Sequence, residues 1–390
     1  MNRSRIKTIL LLLYIVNTMF SSQIEIIGSK TEELIETATY IMSWQLDNGG
    51  WTKDKPEIYT RLWNGTEDKA RYYQEDGVTP LGTIDNGATV YELEILAKAY
   101  DQTRNPIIKD SFLRGIEFLL TMQFDSGGFP QVYPKQEAEV SLYENMVTYN
   151  DHAMVNVMYL FRKITNQEVY YRDELVDKYL RNRVEDAYYR GIEYILASQI
   201  RVNGQPTVWG GQHDPHTYET VQGRSFEPKA LISKESIEII NFLETVEPQT
   251  SSIIESVYAA KKWVKLVVVE NTRYERYGID GVYFIHSPGH LTWYRFYEIG
   301  TNKPLFGDRD GTVTHNILEI SEERRHGYGW GGSWGKEIYY EELGESDMIT
   351  REERHNLYIN IFIGLMSGVL VLVILRYKAL KKQKKTRTKR

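Results

Sequence analysis

Apolar residues recur along this chain at the spacing of one helix face in three places that share a common ending. Leu34, Ala38, Ile41 and Gln45 make the first run, Phe112, Ile116, Leu119 and Gln123 the second, and Tyr188, Ile192, Ile195 and Gln199 the third. Steps of three and four residues mark a helix with one buried stripe. Each run ends on a glutamine and a glycine-bearing turn: QLDNGGW at Gln45–Trp51, QFDSGGF at Gln123–Phe129 and the weaker QIRVNGQ at Gln199–Gln205, at spacings of 78 and 76 residues. Ser29 and Glu32 have capping-box spacing ahead of the first run. Between the runs lies a second helical pattern, Leu93, Leu96, Ala97, Tyr100 and again Met154, Val157, Leu160, Phe161, so one period predicts a helical hairpin. Further helices are predicted over Lys234–Thr245, behind Ser233 as cap, and over Ser252–Val269. From Gly278 to Lys336 the sequence turns aromatic and glycine-rich, which predicts long loops and short strands, where binding residues tend to sit.

A lone hairpin cannot bury its stripe, so about three are expected to stack. Closing on themselves they would form a helical toroid with the glycine turns on one rim; left open, a solenoid.

The chain ends predict a location. Arg3, Arg5 and Lys7 precede an apolar run from Ile9 to Phe20 and small residues at Ser21 and Ser22, the order of a signal peptide over 1–22. Tyr358–Leu375 holds no ionisable group except Tyr358, and at 1.5 Å per residue it reaches about 27 Å, close to the hydrocarbon thickness. A transmembrane helix is therefore predicted over 358–376, with a linker over 341–357 and a cytoplasmic tail over 377–390; from Arg376 onward there are nine Lys/Arg and no acid. The expected protein is exported and anchored by one C-terminal helix, its domain over 23–340 lying outside the cell or in the periplasm.

Removing those ends changes the charge picture. The whole chain carries −6, whereas residues 23–357 hold 35 bases against 53 acids, or −18. Such a domain does not attract a polyanion through its general field, so an acidic ligand must be caught by local cations, from arginine or a bound metal. The absence of cysteine excludes disulfides, thiol catalysis and Cys-based metal sites.

Polar clusters interrupt the helical pattern at TIDNGAT (83–89), TYNDHAM (148–154), WGGQHD (209–214) and GRSFEP (223–228). Asp85 and Asp151 offer hard oxygens, and Asn86, Asn150 and Thr148 beside them suit calcium or sugar hydroxyls. Both aspartates also precede helices, where Asp is a good cap and a cation is disfavoured. Arg224 is a candidate for catalysis or for clamping a carboxylate. His152, His213 and His216 are rivals as proton carriers, though none has an acid partner at fixed spacing. Trp51, Phe129, Tyr133, Trp209, Trp293 and Trp330 could stack on a sugar ring or fill the core.

Read together, TIDNGATVYEL, GGFPQVYP, TYNDHAM, WGGQHDPHT, GRSFEP with KESIEII, and WYRFYEIGTNKPLFGDRDG resemble, in order and approximate spacing from Gly49 to Gly332, the pectate lyases of polysaccharide lyase family 10. The resemblance implies a mainly α fold, an incomplete (α/α)3-like toroid of helical hairpins with long loops and short strands lining a surface cleft. It implies Ca2+-dependent β-elimination on polygalacturonate, with Arg224 as the base and Asp85 and Asp151 holding the metal. Asp85 would also meet substrate, as would Arg295, Arg309 and, on a looser match, Lys53. Where the family usually has Ala-Arg-x-Tyr-Glu this chain has GRSFE at Gly223–Glu227. Such chemistry needs charge drawn off the uronate carboxylate so that the adjacent C5–H becomes acidic. A glycosidase would instead need a carboxylate pair, for instance among Asp214, Glu219 and Glu227; a pectin-binding protein would need the cleft arginines without turnover. Neither nucleic acid nor an obligatory protein partner is implied.

Overall fold

Local chemistry sets where each apolar stripe starts and stops. The computed structural model describes residues 30–53, 58–135, 143–278 and 281–341. Its long helices are α1 (30–44), α2 (Val90–Thr103), α3 (Pro106–Met122), α4 (Ala153–Thr165), α5 (Lys178–Ala197), α6 (Ser233–Glu244) and α7 (Ser251–Leu266). Asn105 caps α3 by accepting from the Ile107 N–H, with Pro106 in the first turn where its missing N–H is harmless. Asp177 caps α5 and Thr250 caps α7 in the same way. The cap expected for α6 is not one: Ser233 lies inside the first turn and donates to the Tyr294 carbonyl at 2.6 Å. Helix α7 stops three residues short of the prediction because the β-branched run Val267–Val269 passes into a strand, Val269–Tyr274. Ser29 lies outside the described residues.

Helices α2, α4 and α6 form one layer and pair respectively with α3, α5 and α7, which also pack side by side. The glutamine that ends each run is what ties the layers together. Gln45 Nε2 donates to Gly49 O of its own turn and to Ser111 O of α3; Gln123 Nε2 to Gly127 O and Ala187 O of α5; Gln199 Nε2 to Thr207 O and Ser256 O of α7. One side chain thus pairs two carbonyls that packing would otherwise strand. Gly127 is fixed for a second reason: its φ is +100°, and a Cβ there would lie 2.1 Å from Arg190 O of α5. Trp51 and Trp209 donate through Nε1 to Ile41 O and Ile195 O at the helix ends. These two, with Phe129, Trp293 and Trp330, are fully buried, so their rings are core; Tyr133 alone of the six keeps an exposed part.

The mainly α toroid expected above is overturned. Only 44% of the described residues are helical, and five antiparallel sheets among them organise much of the rest. Phe284–Tyr294 pairs with Val269–Tyr274 on one side and Gly331–Gly332 on the other. Leu231–Ile232, Phe296–Tyr297, Pro304–Gly307 and Val313–Thr314 form a four-stranded sheet. A second apolar cluster, including Phe226, Phe296, Phe306, Tyr328 and Trp330, belongs to this part. The connections between helices contain valine, isoleucine, threonine and aromatic residues whose backbone groups need partners, and antiparallel pairing supplies them.

The anchored localisation is corrected too. No helix among the described residues is long and apolar enough to cross a membrane. The signal peptide over 1–22 and the segments over 358–376 and 377–390 lie outside the described residues.

Candidate active site

Strand Gly82–Thr83 turns through Asp85–Gly87 into α2, Val147–Thr148 turns through Asn150–His152 into α4, and Leu231–Ile232 runs directly into α6. The two turns pack together and the second packs on α6, so the N-terminal ends of neighbouring helices meet. The turns are tight because Asn86 (φ 52°), Asp151 (49°) and His152 (61°) are left-handed, a region that Asn, Asp and His enter more readily than other side chains. Neither aspartate caps a helix: α2 and α4 have no side-chain cap. Both carboxylates are left to face a cavity of about 240 Å³.

Lys53, Asp85, Tyr143, Glu144, Asp151, Arg224 and Glu227 line that cavity, with Thr83, Gln131 and Asn150 between them. Asp85 is buried, and its Oδ2 accepts from Lys53 Nζ at 2.5 Å and Gln131 Nε2 at 2.9 Å. Asp151 is 40% exposed, with Lys234 Nζ 3.8 Å from its Oδ1. Arg224 donates through Nη2 to Glu227 Oε1 at 2.5 Å and through its backbone N–H to Oε2 at 3.0 Å; Tyr328 donates to the same Oε1 at 2.8 Å. Burial draws the Arg224 guanidinium down, but the hydrogen bond and charge of Glu227 outweigh it and the net shift is upward. Burial pushes Glu227 up, and Arg224 and Tyr328 more than cancel it, so the carboxyl sits below its ordinary range.

Four of the sequence-assigned residues, Lys53, Asp85, Asp151 and Arg224, therefore come together. Two do not line the cavity. Arg295 is buried, paired with Glu235, its guanidinium 4.5 Å from the Tyr328 ring centre. Arg309 is exposed, bonded to Glu323 at 2.9 and 3.1 Å and 5.6 Å from the Phe226 ring, which Arg224 also covers at 4.8 Å. The sequence reading missed Tyr143, Glu144, Gln131, Lys234 and Tyr328. Lys234 did carry a signal: a lysine in the first turn of a helix opposes the helix dipole and needs another reason to be there.

Among the rivals, His213 is buried, accepts from the Gly210 N–H at 2.9 Å and pairs through Nδ1 with Tyr218 O at 2.9 Å; burial lowers it to about 4, so it is neutral and structurally occupied. Asp214 accepts from the backbone of His216 and Thr217. Neither Asp214 nor Glu219 lines the cavity, so neither forms with Glu227 there the pair that a glycosidase would need.

The family model for pectic acid lyases matches residues 45–339. The chain belongs to the pectic acid lyase family. This lyase is similar to a family 10 polysaccharide lyase from Cellvibrio cellulosa, with 31% identity, 78% of this chain and 90% of that chain covered, and a TM-score of 0.69. An Asp-to-Ala mutant of the Cellvibrio enzyme, in complex with trigalacturonic acid, matches at 31% identity over 78% of this chain and 91% of the other, with a TM-score of 0.68. No curated protein matches the chain. The protein is a polysaccharide lyase enzyme, and the cavity at the helix starts is its candidate active site.

Proposed function

We propose that this lyase cleaves (1→4)-α-D-galacturonan, the polygalacturonate of pectin, by Ca2+-dependent β-elimination that leaves a 4,5-unsaturated uronide on one fragment. The observation that carries the metal is the charge of the cavity. Lys53, Arg224 and, 3.8 Å from Asp151, Lys234 stand against Asp85, Glu144, Asp151 and Glu227, a formal −1, which one divalent cation turns to +1. Without it a uronate meets net repulsion. Asp85 and Asp151 are hard donors of the kind calcium prefers, and no group of three acids or histidines close enough to hold a metal ion by itself is found among the described residues. An ion needing six to eight oxygens would complete its shell from substrate and water, so the donor set fits a calcium shared with the substrate. Bound there, calcium supplies Lewis acidity toward the uronate carboxylate.

The chain's own groups do the rest. The N-terminal ends of α2, α4 and α6 favour an anion at their meeting point. Lys53, on parting from Asp85, pairs with a substrate carboxylate, and Arg309 does the same at the rim on parting from Glu323. Arg295 contributes positive charge from behind Tyr328 and reaches substrate only by leaving Glu235. Arg224 at the cavity wall takes the C5 proton as the C4–O bond breaks. The electron pair of that bond leaves with the glycosidic oxygen, which ends up carrying a proton in place of the one lost from C5. No water is consumed, so no second carboxylate is required.

Glu227 favours a second role for Arg224, because it holds the guanidinium charged in the free enzyme. In that reading Arg224 clamps the carboxylate and another group takes the proton. As base, Arg224 must become neutral in the complex, where the cation and the lost water disfavour a second positive charge. Polygalacturonate digestion followed by ultraviolet absorbance of the unsaturated end, with chelator and with calcium restored, tests the function. Absorbance that appears only with calcium is the expected result, and saturated ends alone would refute elimination. A raised KM with kcat little changed in Arg224→Ala would favour the clamp, since a lost base lowers kcat.

A further inference from the structure

A second cavity, of about 450 Å³, lies between the start of α2 and α4, within the range of small-molecule sites. It shares two backbone segments with the candidate active site. Lys53 and Asp85 face the first cavity, and their chain neighbours Thr52 and Asn86 line the second. Consecutive residues of two segments thus form part of the wall of each cavity, which places the second beside the first.

Its chemistry differs from that of the active site. No arginine lines it, and its one lysine, Lys163, is bonded to Glu94 at 2.5 Å. The remaining carboxyl, Glu92, is fully buried; its Oε1 accepts from the Tyr59 hydroxyl at 2.7 Å and its Oε2 has no aligned partner. Burial pushes Glu92 up to about 7, so much of it is neutral near neutral pH. The walls therefore offer no spare cation for a uronate. They do offer aromatic surface, from Tyr91 (41% exposed) and the half-buried Tyr159, whose ring packs edge-on against Phe242 at 5.2 Å. Asn156 adds an amide, and Glu94 adds an acceptor for hydroxyl groups. An apolar face with hydroxyl acceptors and balanced charge is the complement of an uncharged pyranose.

We propose that the cavity between α2 and α4 is a subsite for a neutral sugar unit, placed beside the uronate-cleaving cavity so that the enzyme accepts a galacturonan carrying neutral residues. The biological meaning rests on the function proposed above, whereas the binding does not. Saturation-transfer NMR on the full chain, with methyl α-D-galactopyranoside and the matching methyl α-D-galacturonoside as probes, reads it directly. The part of the transfer that is lost on substitution of Tyr91 should be larger for the neutral glycoside than for the uronoside. Tyr91→Ala should weaken transfer to the neutral glycoside about fivefold, as expected for loss of one ring contact, and Asn156→Leu should weaken it too. Turnover of plain polygalacturonate should stay within about twofold in both variants, because neither residue lines the first cavity. Transfer to the neutral glycoside that is absent at tens of millimolar, or that is unchanged in both variants, overturns the subsite. If polygalacturonate is not cleaved at all, the function fails while the binding result still decides the cavity.

Discussion

Replacing Glu227 by glutamine tests how the candidate base is held. The carboxylate meets three donors: Arg224 Nη2 and the Tyr328 hydroxyl at Oε1, and the Arg224 N–H at Oε2. An amide in the same place keeps one acceptor oxygen and puts an NH2 against a donor whichever way it is flipped. One donor is left unpaired, at about 1–3 kcal/mol. The charge-assisted part of the Arg224 bond is worth less than a buried pair, because the arginine side chain is 43% exposed and water screens it. A loss of about 2 kcal/mol in unfolding free energy at neutral pH follows from the two together. The pH dependence has a definite sign. Glu227 is depressed in the folded state, so its contribution is complete above the unfolded-state carboxyl value of about 4.3 and declines as pH falls through the lower folded value. Urea titrations of wild type and Glu227→Gln should therefore differ by a constant amount from about pH 5 upward and converge below about pH 4. If Arg224 acts as base, loss of the neighbouring anion also makes its neutral form easier to reach, and the rising limb of kcat/KM moves to lower pH. A stability gap below about 0.5 kcal/mol, or one that stays constant down to pH 3, would refute the reasoning.

Arg224→Ala should abolish release of unsaturated uronide while oligogalacturonate binding, measured by calorimetry, changes only a few-fold, because a base acts mainly in the transition state. Asp151→Ala should raise the calcium concentration needed for half-maximal activity by about tenfold or more; an unchanged calcium curve would remove Asp151 from the metal. Gly127→Ala should destabilise the fold by about 3 kcal/mol or more, since it combines a left-handed φ with a Cβ overlapping Arg190 O. Thermal unfolding of that variant within a degree of wild type would show that the turn yields more readily than the contact implies.

The long helices were legible in the chain, because a period of three and four residues is a local property and the burial it demands is the same in any arrangement. The glutamine-led glycine turns were marked as repeats, and the structure shows why: Gln45, Gln123 and Gln199 each bind their own turn and the neighbouring outer helix. The sequence also singled out Lys53, Asp85, Asp151 and Arg224, which share one cavity. Tertiary structure decided the remainder. How much of the connecting chain becomes sheet depends on which backbone groups end up opposite one another, and two-residue strands such as Val147–Thr148 leave no period to read. The fate of Arg295 and Arg309 was likewise invisible, because their partners, Glu235 and Glu323, lie 60 and 14 residues away in sequence. Charge pairing over such separations is fixed only when folding brings the groups within a few ångströms, where Coulomb energy grows large enough to matter.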